Sequence, residues 1–127
     1  MPEKKIVAAE AAPKAIGPYS QAVWAGDLLF VSGQVPLDPA TGAVVPGAAA
    51  PQTRQALKNA EAILKAAGLS LANVVKTTLF IKNMDDFAAI NEAYAESFTT
   101  PYPARSTVEV ARLPKDVLVE IEVVAKK

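Results

Sequence analysis

Pro51-Gln52-Thr53-Arg54-Gln55-Ala56-Leu57-Lys58-Asn59-Ala60-Glu61-Ala62-Ile63-Leu64-Lys65-Ala66-Ala67-Gly68, followed shortly by Val74-Val75-Lys76-Thr77-Thr78-Leu79-Phe80-Ile81-Lys82, decides the fold class. In the first stretch Leu57, Ala60, Leu64 and Ala67 recur on one helical face, while Arg54, Lys58, Glu61 and Lys65 lie mostly away from it. Pro51 suits a helix start and Gly68 a helix stop. The second stretch is rich in β-branched residues and predicts a strand. A helix that buries one stripe, followed directly by a strand, needs a sheet to lie on.

Downstream, Asn83 or Asp85 can cap a second helix carrying Phe87, Ile90, Tyr94 and Phe98, which Thr99-Thr100-Pro101-Tyr102-Pro103 brings to an end. Two more strands are predicted, Ala104 to Val110 and Val117 to Ala125, separated by Arg112-Leu113-Pro114-Lys115-Asp116. Upstream, short apolar runs are punctuated by Ala25-Gly26-Asp27, Gly33 and Asp38-Pro39-Ala40-Thr41-Gly42, a pattern that predicts two hairpins. The predicted order is ββ(β)αβαββ, with no repeat, linker or low-complexity tract. The class is therefore α+β: a sheet of five or six strands with two helices on one face, as a single domain over residues 1–127.

Two helices leave the other face of such a sheet bare. In the last predicted strand one alternating set is Val117, Val119, Ile121 and Val123, and the opposite set is Leu118, Glu120, Glu122 and Val124. Neither set is purely polar, whereas a strand with one wet face should alternate more cleanly. The expectation is that the second face packs against another copy of the chain.

Thirteen basic and thirteen acidic residues leave the 127-residue chain formally neutral, so no overall field gathers nucleic acid or an anionic membrane surface. There is neither cysteine nor histidine. Disulfides, the usual zinc sites, thiol nucleophiles and Ser-His-Asp triads all need residues that are missing. Any proton must travel by carboxylate, lysine, tyrosine, backbone or water. The first fourteen residues lack a signal-peptide core, and no run of about 18 apolar residues exists. A cytoplasmic protein is expected. The six glycines form no phosphate-cradling motif, and Asp85-Asp86 is explained by the start of the second helix, so neither a nucleotide nor a metal is expected.

Arg105 is the sharpest candidate for chemistry. It follows Pro103-Ala104 on a predicted strand, and its planar fork of donors matches a carboxylate through two parallel hydrogen bonds. A structural ion pair explains it equally well. Glu120 lies between Val119 and Ile121, where burial would raise its pKa, but the solvated stripe of an edge strand would also carry Glu120 and Glu122. Tyr19 follows a Gly17-Pro18 turn that fixes the direction of its phenol, or simply packs in the core. Ser32-Gly33 either offers a backbone N–H to a ligand or makes a turn. Lys76 and Lys82 read as outward residues of a strand.

These segments together, Ile16-Gly17-Pro18-Tyr19-Ser20-Gln21-Ala22, Val31-Ser32-Gly33-Gln34, Lys76-Thr77-Thr78, Pro103-Ala104-Arg105-Ser106, Val108-Glu109-Val110-Ala111-Arg112-Leu113-Pro114-Lys115 and Glu120-Ile121-Glu122, resemble the reactive intermediate deaminase family, RidA, also called YjgF or L-PSP. The likeness runs from about residue 6 to residue 125. It implies a chorismate-mutase-like α+β fold, a homotrimer with clefts at the subunit boundaries, and hydrolysis of 2-imino acids to 2-keto acids without a cofactor. By motif position Arg105 resembles the carboxylate clamp, Glu120 the group that orients or activates water, and Tyr19 a wall and hydrogen-bonding partner. Ser32, Gly33 and Asn91 resemble cleft-lining positions, and the backbone at Thr107 a further polar contact. Many bacterial relatives carry cysteine where this chain has Thr107, which removes thiol-based regulation here. Ser97 to Tyr102 is shorter than in some relatives, which reshapes the expected cleft mouth.

Overall fold

Residues 3–127 are described by a computed structural model. Its strands are β1 (Ile6–Val7), β2 (Ala22–Ala25), β3 (Leu28–Gln34), β4 (Val74–Ile81), β5 (Ala104–Glu109) and β6 (Val119–Lys126), and its helices α1 (Ala49–Ala66) and α2 (Phe87–Ala95). The strands form one sheet in the order β1-β2-β3-β6-β4-β5. Every neighbouring pair is antiparallel except β4 and β5. That parallel pair needs a crossover, and α2 supplies it.

The predicted helix starts two residues early, at Ala49, and its stripe faces the sheet as expected. Ala56, Leu57, Ala60, Ile63 and Leu64 are buried against Leu29, Val31, Leu79, Ile121 and Val123. No side chain caps the N-terminus of α1, so tertiary packing rather than local capping holds this end. Two polar residues on the buried face tie the helix to neighbouring backbone. Gln52 Oε1 accepts from the Leu118 N–H at 2.8 Å, and Asn59 Nδ2 donates to the Val35 and Leu37 carbonyls at 3.1 and 2.9 Å. The helix ends where Gly68 takes φ +80° and the Leu69 N–H reaches back to Leu64.

Several expectations need correction. Ile6–Val7 is a short edge strand that no alternation announced. The Asp38–Gly42 segment turns as expected, but its second hairpin shrinks to a single bridge, Leu37 to Val44. Asn83 caps a 3-10 turn, Met84–Asp86, that leads into α2, and α2 stops at Ala95 rather than reaching Phe98. The last turn tightens through i→i−3 bonds from Glu96 and Ser97, yet Phe98 still stacks on Tyr94 with ring centroids 4.7 Å apart. β6 lies in the interior of the sheet between β3 and β4, so Glu120 and Glu122 are not on an edge strand. Among the described residues no helix is long and apolar enough to cross a membrane.

The helices cover one face, on which Val119, Ile121 and Val123 are fully buried. On the other, register places Ile6, Val23, Phe30 and Val124 in one row, and Val108, Phe80 and Glu120 in another. Nothing among the described residues covers this face: Ile6 is 56%, Phe30 48% and Val108 42% exposed. The mixed polarity read from the last strand thus corresponds to an open sheet face on which these apolar rows share the surface with Glu122, Thr78, Lys76 and Ser106.

Candidate functional site

β5 is the outer edge of the sheet, and register sets Arg105 directly beside Thr77 of β4, on the helix-covered face. From there the guanidinium reaches α2. Nη1 donates to Asn91 Oδ1 at 2.7 Å, and Cζ lies 4.9 Å from the Tyr94 ring centroid and 5.5 Å from that of Phe87. Among the described residues no carboxylate forms an ion pair with Arg105; the arginine pairs are Arg54 with Glu96 and Arg112 with Asp116. Within one chain, then, the described residues give Arg105 no structural ion pair. Tyr94 is itself fixed, its hydroxyl sharing a 2.8 Å hydrogen bond with the fully buried Thr77. Burial raises the phenol's pKa, opposed by the Thr77 hydrogen bond and the Arg105 charge. Asn91, Tyr94, Ala95, Tyr102, Pro103 and Arg105 line a cleft of about 450 Å³.

A second cluster forms where β3 departs from regular pairing. Val31 opposes Val123 and Gln34 opposes Ile121, so of the two readings of Ser32-Gly33 the turn is replaced by a β-bulge within β3. The Ser32 N–H donates to the Gln21 carbonyl at 2.9 Å and its hydroxyl to the Ser20 carbonyl at 2.6 Å, which ties the bulge to the segment carrying Tyr19. Gly17 at φ +118° makes the turn before Tyr19, whose ring stands half exposed. The Glu120 side chain lies against Gly33, and burial, with a smaller push from Glu122, raises its carboxyl pKa.

The two clusters do not meet within one chain. Arg105 registers with Thr77 and Glu120 with Phe80, three residues apart on β4, so the two side chains project from opposite faces of the sheet. Thr107 shares the Arg105 face, and its hydroxyl is the buried side-chain polar atom without a hydrogen-bond partner among the described residues. Phe87, Tyr94 and Thr77 were not legible as neighbours of Arg105, because their aromatic spacing and β-branching read as core. A larger hollow of about 590 Å³ between α1 and the Asp38–Ala40 turn holds none of the predicted residues. Its Asn59 amide is already committed to backbone carbonyls.

The sequence pattern of the family described as Endoribonuclease L-PSP matches residues 9–127. The chain belongs to this RidA/YjgF/L-PSP family. It is 57% identical over 124 residues to a RutC family protein of Pyrococcus horikoshii, covering 98% of each chain. It is 52% identical to the 2-iminobutanoate/2-iminopropanoate deaminase of Escherichia coli, covering 95% of this chain and 96% of the relative. Among solved structures, Escherichia coli TdcF with bound serine superposes with a TM-score of 0.91 at 49% identity, covering 98% of this chain and 99% of that one. The six-stranded sheet with two helices is thus the L-PSP architecture.

Proposed function

We propose that the protein hydrolyses 2-imino acids, 2-iminopropanoate and 2-iminobutanoate formed from their enamine tautomers, to 2-keto acids and ammonia. The observation that carries this reading is Arg105, oriented by Asn91 and backed by two aromatic rings, with no acid paired to it among the described residues. One Nη1 hydrogen is committed to Asn91, which leaves donors for a small carboxylate in the cleft. The deaminase name of the 52% identical relative supports the same chemistry, and the serine in TdcF is a ligand with the same kind of carboxylate.

Hydrolysis adds water across C=N. Glu120, whose carboxyl burial makes a stronger proton acceptor than an ordinary carboxylate, takes a proton from the attacking water as the C–O bond forms and delivers it to nitrogen. Collapse of the carbinolamine breaks the C–N bond, releases ammonia and leaves the keto group. Anchoring the carboxylate converts the encounter with water into a directed attack. Tyr19 would wall the cleft, Ser32 and Gly33 line it, and the Thr107 backbone supply a further polar contact. No cofactor enters this balance.

Because Arg105 and Glu120 project from opposite faces, one substrate can meet both only if a second copy supplies one of them. The open face, with its exposed Ile6, Phe30 and Val108, is the surface for that contact, and a homotrimer with shared clefts is the assembly we propose. A binder of 2-keto acids without catalysis would use the same arginine. The endoribonuclease label has less support here: the chain is neutral and has no histidine to move protons.

The test generates 2-aminoacrylate in situ with a PLP-dependent dehydratase and follows keto-acid release. Added protein should accelerate release, and Arg105→Ala should abolish the acceleration. No acceleration, or an Arg105→Ala variant as fast as the parent, ends the enzyme reading.

A further inference from the structure

The helix-covered face of β5 holds a closed triangle of contacts. Thr77 and Arg105 are direct cross-strand neighbours, the Thr77 hydroxyl holds the Tyr94 hydroxyl at 2.8 Å, and the Tyr94 ring lies 4.9 Å from the Arg105 guanidinium carbon. Tyr94 is only 6% exposed and is also held by the ring of Phe98. We infer that Tyr94, fixed by Thr77, is a positioning residue that sets the plane of the Arg105 guanidinium.

An arginine on an edge strand has several free torsions, and a bidentate grip needs the guanidinium plane to coincide with the carboxylate plane. A single hydrogen bond from Nη1 to Asn91 fixes one atom and leaves rotation about that contact. The face of an immobile ring removes the rotation, because a cation prefers the ring face to its edge. With Nη1 committed, the Nε–Nη2 edge is left as a pair of parallel donors. Thr77 is distinct from the residues that would touch substrate: it is fully buried and acts through Tyr94.

The inference rests on the carboxylate-clamp reading of Arg105 and is tested on the full chain with the imine assay. Tyr94→Leu should raise KM about three- to tenfold with a smaller change in kcat, the size of a partly desolvated cation–π contact. Tyr94→Phe, which keeps the ring but loses the hydroxyl that Thr77 holds, should match Thr77→Val and fall between the parent and Tyr94→Leu. Thr77→Val, which frees the ring without changing the volume, should also raise KM and weaken pyruvate binding in a direct titration.

In an Arg105→Lys background, where no guanidinium plane exists, the Tyr94→Leu effect should shrink. An effect of equal size in both backgrounds would mean a merely structural role and overturns the inference, as would an unchanged KM in Tyr94→Leu and Thr77→Val. Where Tyr94→Leu does not fold, Thr77→Val decides alone: a raised KM supports the inference and an unchanged one overturns it. If Arg105→Lys equals the parent, the clamp reading falls; if it is impaired while Tyr94 and Thr77 variants are not, only the positioning role falls.

Discussion

Gly33 lies so close under Glu120 that a methyl group built on it would stand 2.9 Å from the carboxyl carbon and 3.2 Å from Cγ. The colliding group is the outer part of a flexible side chain, which can rotate away at a cost of order 0.5–1.5 kcal/mol. Gly33→Ala should therefore fold with a modest loss of stability yet lose most of its imine hydrolysis, because the displaced carboxylate no longer aims water. Steady-state kinetics beside a thermal melt checks this. A large loss of stability with kcat intact would show that Gly33 is needed for backbone packing and not for the placement of Glu120.

Burial holds the Glu120 carboxyl above its ordinary value of 4.5, with Glu122 adding to the shift. A raised folded-state pKa stabilises the protein fully below the unfolded value, and that contribution is lost as pH rises through the folded one. Glu120→Gln should accordingly melt higher than the parent at neutral pH and flatten the decline in melting temperature above the ordinary carboxylate range. In the parent, kcat/KM should climb through the same raised pKa as the base ionises. An ascending limb at the ordinary carboxylate pKa, or one unchanged in Glu120→Gln, would remove Glu120 from the chemistry.

Local periodicity carried the fold a long way, because α1 and the strands that begin at Val74 and Val119 each bury one face, whereas the strand from Ala104 is exposed along most of its length. Leu57, Ala60 and Leu64 face the sheet as their spacing demanded, and Val119, Ile121 and Val123 are the buried set of β6. What spacing could not convey was adjacency. Insertion of β6 between β3 and β4 moved Glu120 from a supposed edge into the interior, and only the register revealed that Arg105 and Glu120 point apart. Ile6–Val7 was illegible because two residues cannot show alternation. Tyr94 read as core and is core, but its second contact, to Arg105, depends on a parallel pairing that no local pattern encodes.

Gln21 is buried and fastens the N-terminal arm: its Oε1 accepts from the Ala9 N–H, and its Nε2 donates to the Ala9 carbonyl at 3.2 Å and the Pro13 carbonyl at 2.8 Å. Gln21→Leu fills the space but strands these backbone groups, at about 1–3 kcal/mol for each that stays buried. Water will reach some of them, so a net loss of about 2 kcal/mol is expected. Amide exchange at Ala9 should accelerate selectively, and KM should rise because Tyr19 lies two residues before Gln21. Exchange that quickens uniformly along the chain would mean global destabilisation and not the release of one arm.

Thr107 carries a buried hydroxyl without a hydrogen-bond partner among the described residues, on the same face of β5 as Arg105. An unsatisfied buried hydroxyl costs about 1–3 kcal/mol, and valine has nearly the same shape without it. Thr107→Val should therefore raise stability by about 1 kcal/mol, while Thr107→Ser, which keeps the oxygen and removes a methyl, should lower it by a similar amount. Catalysis should be unchanged in the valine variant, since the contact proposed for residue 107 is made by backbone. Melts and kcat/KM of the two variants test both statements. A Thr107→Val protein that melts lower, or that hydrolyses the imine more slowly, would mean that the hydroxyl finds its partner in the assembly or on the substrate.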